Sequence, residues 1–150
     1  MAGTIEDRLP KASDAALRVA EADAEKAEQQ KRAAAAAEAE KKALIESFQK
    51  VPSLSLEEKI ERAAAIIERA VKSGLTEVEV LRFPHELCTD GGRAINQAEP
   101  GWENTLTGIP QDMFQFWHEH LHPRGYKVRA QIVDFPSGMP GDIGIFLIWR

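Results

Sequence analysis

The spacing of apolar residues changes character about a third of the way along the chain. Between Val19 and Leu44 nothing apolar is larger than alanine, and the ten aromatic residues all lie between Phe48 and Trp149. Large apolar groups supply most of the driving force for burial, so residues 1–50 are expected to form an alanine- and charge-rich arm and residues 51–150 a small α/β domain. From Lys11 to Lys50 there is no glycine or proline, and Ala, Glu, Lys and Gln lose least on entering a helix. Ser13 or Asp14 is placed to cap such a helix. Glu28 with Arg32, Glu38 with Lys42 and Glu46 with Lys50 stand four apart in the favourable order. A strong coiled-coil seam needs Leu, Ile or Val at its a and d positions, which this stretch lacks. Leu44, Ile45, Phe48 and Val51 are where the arm should meet the domain.

Beyond Pro52 the pattern becomes that of a packed domain. Ser55 and Glu58 fit a capping box, after which Ile60, Ala63, Ala64, Ile67 and Val71 recur at helical spacing opposite Glu57, Glu61, Arg62, Glu68 and Arg69, until Gly74 ends the helix with a left-handed cap and Leu75 folds back. Val78 and Val80 alternate with Glu77 and Glu79, predicting a strand over Thr76 to Phe83 that Pro84 closes. Asp90 is placed to cap a short helix carrying Ala94, Ile95 and Ala98, broken by Pro100 and Gly101. A second main helix starts at Pro110 and brings Met113, Trp117 and Leu121 together with Phe114 and Phe116, ending at His122-Pro123 and Gly125. Tyr126 to Ile132 alternates like a strand with one wet face. Ile143 to Trp149 is almost wholly apolar, as in a central strand. The fold class expected is therefore α/β (α+β): a long N-terminal helix, then a three-stranded sheet packed by two main helices.

Composition narrows the function classes only slightly. About 95 residues outside the arm suffice to bury something over 60% of their unfolded surface. With 19 basic against 24 acidic residues the net charge is −5, which argues against a nucleic-acid or anionic-membrane partner. A single cysteine, Cys88, precludes an internal disulfide. The N-terminus has no apolar run behind basic residues, so a cytoplasmic location is the default expectation. The succession of a helix ending in glycine, a strand, a helix leading to Gly125-Tyr126-Lys127-Val128 and a last strand finishing in Ile148-Trp149 resembles small α/β proteins of tailed phages and bacteria. The resemblance covers about 95 residues, implies the same sheet-and-helix fold and carries over no active residue. The long arm and the 136–142 loop depart from it.

The densest polar run, His85 to Arg93, follows a strand end, where α/β proteins often bind ligands. The amides of Gly91 and Gly92 could face an anion that Arg93 pairs with, beside Cys88 and Asp90; the alternative is a tight turn leading into a capped helix. The glycine spacing and lysine of a nucleotide-binding loop are missing. Cys88 would serve as a nucleophile only if a neighbour such as His85 lowered its pKa. His118 and His122 share a helix face, with His120 pointing elsewhere, and are the candidate metal ligands, although their spacing matches no established zinc motif. Otherwise they form a wet rim, with Trp117 on the far side. Glu77 and Glu79 read as solvated. Trp102 is either a lid on the core or an anchor at an interface. No metal or other cofactor is implied. The function expected is that of a non-enzymatic interaction or assembly protein with a protein partner or self-association; the alternative is a small-ligand or anion-binding enzyme or sensor using the 85–93 turn.

Overall fold

The computed structural model describes residues 5–150. It contains a long N-terminal helix, further helices and a three-stranded antiparallel sheet, the α+β class expected. A short 3₁₀ turn, Ile5–Arg8, precedes helix α1, Ala12–Gln49. None of the 38 residues of α1 is buried, and Glu28 pairs with Arg32 at 3.5 Å. Lys50 falls past the last residue of the helix, so the Glu46–Lys50 spacing is not used within it. The described chain divides into two compact units, the boundary lying between Ala43 and Leu44. Within the second unit, Ile45 and Phe48 pack against the domain's main apolar cluster, while Leu44 and Val51 are largely exposed.

Helix α2, Leu56–Lys72, starts where Ser55 Oγ accepts the Glu58 amide at 3.2 Å. It ends in a Schellman arrangement: Gly74, at φ +77°, donates to Val71 O, and Leu75 donates to Ala70 O. Its buried side differs from the predicted stripe. Lys59, Ala63, Ile66, Ile67 and Ala70 turn inward, whereas Ile60, Ala64 and Val71 stay exposed. Periodicity marks an apolar arc, but what the arc packs on decides which edge of it is covered.

Strand β1, Glu77–Pro84, pairs with β3, Asp142–Ile148, which also pairs with β2, Lys127–Ile132; the order is β1-β3-β2 and every pairing is antiparallel. The apolar run 143–149 is thus central, as its pattern predicted. Ile143, Ile145 and Leu147 on one face of β3 are fully buried, and Phe146 on the other lies beneath the Arg129 guanidinium, 4.7 Å from the ring centroid. The expected alternation in β1 is interrupted. The register shifts between Glu79 and Leu81, a bulge in which Val80 is the extra residue, so Val80 and Leu81 both reach the helix-covered side.

Between β1 and β2 run the short helix α3, Arg93–Asn96, a 3₁₀ turn at Trp102–Thr105, and helix α4, Gly108–Phe116. A π-helical turn, Trp117–Leu121, and a 3₁₀ turn, His122–Arg124, continue α4 to Gly125. Trp117 Nε1 donates to Tyr126 O at 3.0 Å, tying the π turn to the residue before β2. After α3 the chain turns through Ala98, an exposed alanine at φ +53° whose following amide, Glu99, donates back to Ala94 O at 2.8 Å. A left-handed alanine costs about 1 kcal/mol that glycine avoids. Ala98→Gly should therefore raise stability by roughly 0.5–1 kcal/mol, measured as a higher urea midpoint at unchanged slope; a lower midpoint would contradict the strained turn.

Candidate functional site

The 85–93 segment forms the turn that its sequence suggested, and its polar groups are spent largely on one another. Asp90 Oδ1 accepts the Gly92 amide at 2.9 Å, and Oδ2 accepts the Ala94 amide at 2.9 Å. Gly91 donates its amide to Cys88 O at 3.1 Å. The carboxylate that would have come with an anionic ligand is thus the chain's own, and it caps α3. Burial raises the Asp90 pKa, but the amides of Ala94 and Gly92 and the charge of Arg93 outweigh it, holding the carboxyl below its ordinary value. Arg93 turns to Glu99, at 3.2 Å on the exposed side.

Two residues of the turn belong to the core. Gly92, at φ +89°, faces it so closely that a Cβ would lie 3.1 Å from Ile143 Cδ1. Cys88 is 4% exposed. Burial pushes its thiol up to about 11, with the hydrogen bond to Thr105 opposing this and the charge of Asp90 adding to it. A thiol so placed is protonated at neutral pH, the opposite of what a nucleophile needs. His85 Nδ1 lies 3.0 Å from Gly141 O and 2.9 Å from Glu86 Oε1, two acceptors. Its role is to tie the turn to the 133–141 connection.

Removing the cap isolates its contribution. Asp90→Ala should cost about 1–2 kcal/mol, the range for a lost capping side chain. Because the folded pKa is depressed, the wild-type advantage is present above the unfolded carboxyl pKa and fades as pH falls through the folded one. Urea midpoints of both proteins between pH 7 and pH 3 should converge at the acidic end; a gap independent of pH would show that the carboxylate charge is not what caps α3.

His118 and His122 do share a face, their rings stacked 5.9 Å apart and 12° from parallel, with Phe114 stacked on the other side of His118 at 6.4 Å. Trp117 is not on the far side from this pair, as the wet-rim reading had it: it lies 5.0 Å from His122 and 6.1 Å from His118. The π turn inserts an extra residue per turn and brings adjacent rings round to one side. His120 instead meets Phe116 at 5.3 Å. Among the described residues, no three His, Cys, Asp or Glu side chains come together as metal ligands. Trp102 is half-buried against the main cluster and stands edge-on to Phe114 at 5.5 Å. Glu77 is not simply solvated: its Oε2 pairs with Arg129 at 2.8 Å across the sheet.

The feature that sequence reading missed is a cleft between α2 and α4. Both helices lie on the sheet with a groove of about 340 Å³ between them, whose walls are Ala63 and Ile66 on one side and Ile109, Met113 and Phe116 on the other. Its floor is Val80, Leu81 and Leu147, the first two brought side by side by the β1 bulge. Lys59, Arg62 and Asp112 are the charged lining residues, and Lys59 Nζ bridges the two helices to Asp112 at 3.2 Å. Only the amphipathic pattern of both helices hinted at it; their separation is a tertiary property. Comparison with protein families, with curated proteins and with solved structures found no match.

Proposed function

We propose that this is a non-enzymatic interaction or assembly protein in which the 44–150 unit docks and the helix before it spaces or tethers. The observation supporting this reading is α1 itself. About 57 Å of helix, at 1.5 Å per residue, has no buried residue, and Leu17 and Val19 are more than half exposed. Helices draw most of their stability in proteins from tertiary packing, so a helix of this length in which Ile45 and Phe48 alone pack against the main apolar cluster offers the rest of its surface to something outside the fold. The exposed Leu56, Ile60 and Val71 on α2 add a second uncovered surface. Among the described residues no helix is long and apolar enough to cross a membrane.

The test compares the full chain with a variant lacking residues 1–43, keeping Ile45 and Phe48 in place. Both are measured for mass in solution by light scattering and as baits for protein capture. The expected result is a cooperative unfolding transition in the shortened protein together with loss of a captured partner or of a higher assembly state. Unchanged mass and unchanged capture would remove the basis of this reading.

A further inference from the structure

We infer that the cleft between α2 and α4 is a binding site for a small apolar carboxylate, an alkyl or aryl chain ending in one negative charge. The inference is independent of the assembly reading, since it rests on the 44–150 unit alone. A space of about 340 Å³ with apolar walls and a few polar groups has the size and character of ligand sites in general. Its polar side chains are confined to Lys59, Arg62 and Asp112, and the remaining lining residues are Pro, Leu, Ala, Ile, Val, Met and Phe. A peptide strand laid in the cleft would bring a row of backbone N–H and C=O groups, for which the side chains of this lining offer only Lys59, Arg62 and Asp112, and each group left unpaired is costly to bury. An alkyl or aryl chain brings none.

The charge of the lining selects the head group. Two cations stand against one carboxylate, a net positive site in a chain whose overall charge is −5. Lys59 is already held by Asp112, at 3.2 Å from both carboxylate oxygens. Arg62 forms no ion pair among the described residues, unlike Arg32, Arg82, Arg93 and Arg129. A ligand carboxylate entering beside Lys59 would give Arg62 the bidentate partner its geometry favours, while the chain lies over Leu147 and Phe116.

The probe is decanoate, titrated into the full-length protein carrying [13C-methyl]methionine. Met113 lines the cleft, whereas Met139 is 67% exposed in the 133–141 connection, so the two report inside and outside the site. The expected result is a saturable shift of the Met113 methyl signal with Met139 unmoved, and calorimetric binding with one site per chain. Arg62→Glu, at an exposed position, should leave the circular dichroism unchanged and weaken decanoate at least tenfold. Decyltrimethylammonium, with the same chain and the opposite head charge, should also bind at least tenfold more weakly. Ala63→Phe, which fills the wall, should abolish the Met113 shift. An absent or non-saturable Met113 response overturns the proposal, as does decanoate affinity unaffected by Arg62→Glu. A mass in solution that Ala63→Phe halves, with no decanoate response, would assign the cleft to a second copy of the chain and likewise overturn it. The assembly reading survives each of these failures, because its own test turns on residues 1–43.

Discussion

Gly108→Ala should unfold the domain's link to α1 and lower stability by about 2–5 kcal/mol. Gly108 opens α4 at φ +58°, a left-handed conformation that costs a non-glycine residue about 1–2 kcal/mol. Strain is the smaller part of the effect. A Cβ there would lie 2.3 Å from the Phe48 carbonyl oxygen and 2.9 Å from Gln49 Cα, backbone atoms that cannot rotate away. Forcing atoms into a packed contact adds about 1–3 kcal/mol. Gln49 Nε2 also donates to Thr107 Oγ1 at 3.1 Å, and that hydroxyl donates in turn to Leu87 O, so a shift of the helix end loosens a chain of contacts reaching the core. Gly125→Ala is the control: its φ is +95° but no atom lies within 4 Å of the added methyl, so only the conformational part remains. Urea unfolding of the two variants, with hydrogen exchange of the Ile45–Gln49 amides, separates the terms. Equal losses in both, with the Ile45–Gln49 amides still protected, would show that Gly108 does not pack against the Phe48 and Gln49 backbone.

Phe83→Ala is the second large effect, a loss of about 3–5 kcal/mol. The Phe83 side chain is 1% exposed and sits in the cluster with Leu87, Cys88, Ile95, Leu106, Ile143 and Ile145. Its strand partner is Ile143 on central β3, so the cavity would open where both edge strands are held and could not collapse without moving the sheet. For a domain with roughly 5–15 kcal/mol of total stability, such a loss consumes much of the margin. Phe135→Ala, at a residue 54% exposed in the 133–141 connection, should change stability by less than about 0.5 kcal/mol. Thermal midpoints compared at one pH would show the contrast. A Phe83→Ala protein as stable as Phe135→Ala would place the core elsewhere.

The 85–93 turn looked like a ligand site because glycines, an arginine and a cysteine stood close in sequence. Composition could not say that Asp90 would take the Gly92 and Ala94 amides itself, nor that Cys88 would face inward beside Thr105. The opposite failure occurred at the cleft. Lys59 and Asp112 meet across 53 positions of chain, with Arg62 lining the same cleft, and no motif joins them because side chains distant in sequence are brought together only by packing.

Local chemistry carried the fold a long way. Helix propensity without large apolar groups specified α1; Ser55, Gly74 and Asp90 marked helix ends through hydrogen bonds made within a few residues; and the unbroken apolar run at 143–149 announced the central strand. Each of these is settled by interactions between near neighbours or by how many faces of an element must avoid water. Which face of α2 turns inward, the bulge that doubles Val80 with Leu81, and the gap left between α2 and α4 were decided only when the sheet and helices packed, because those outcomes depend on the shape of a partner surface that no stretch of sequence contains.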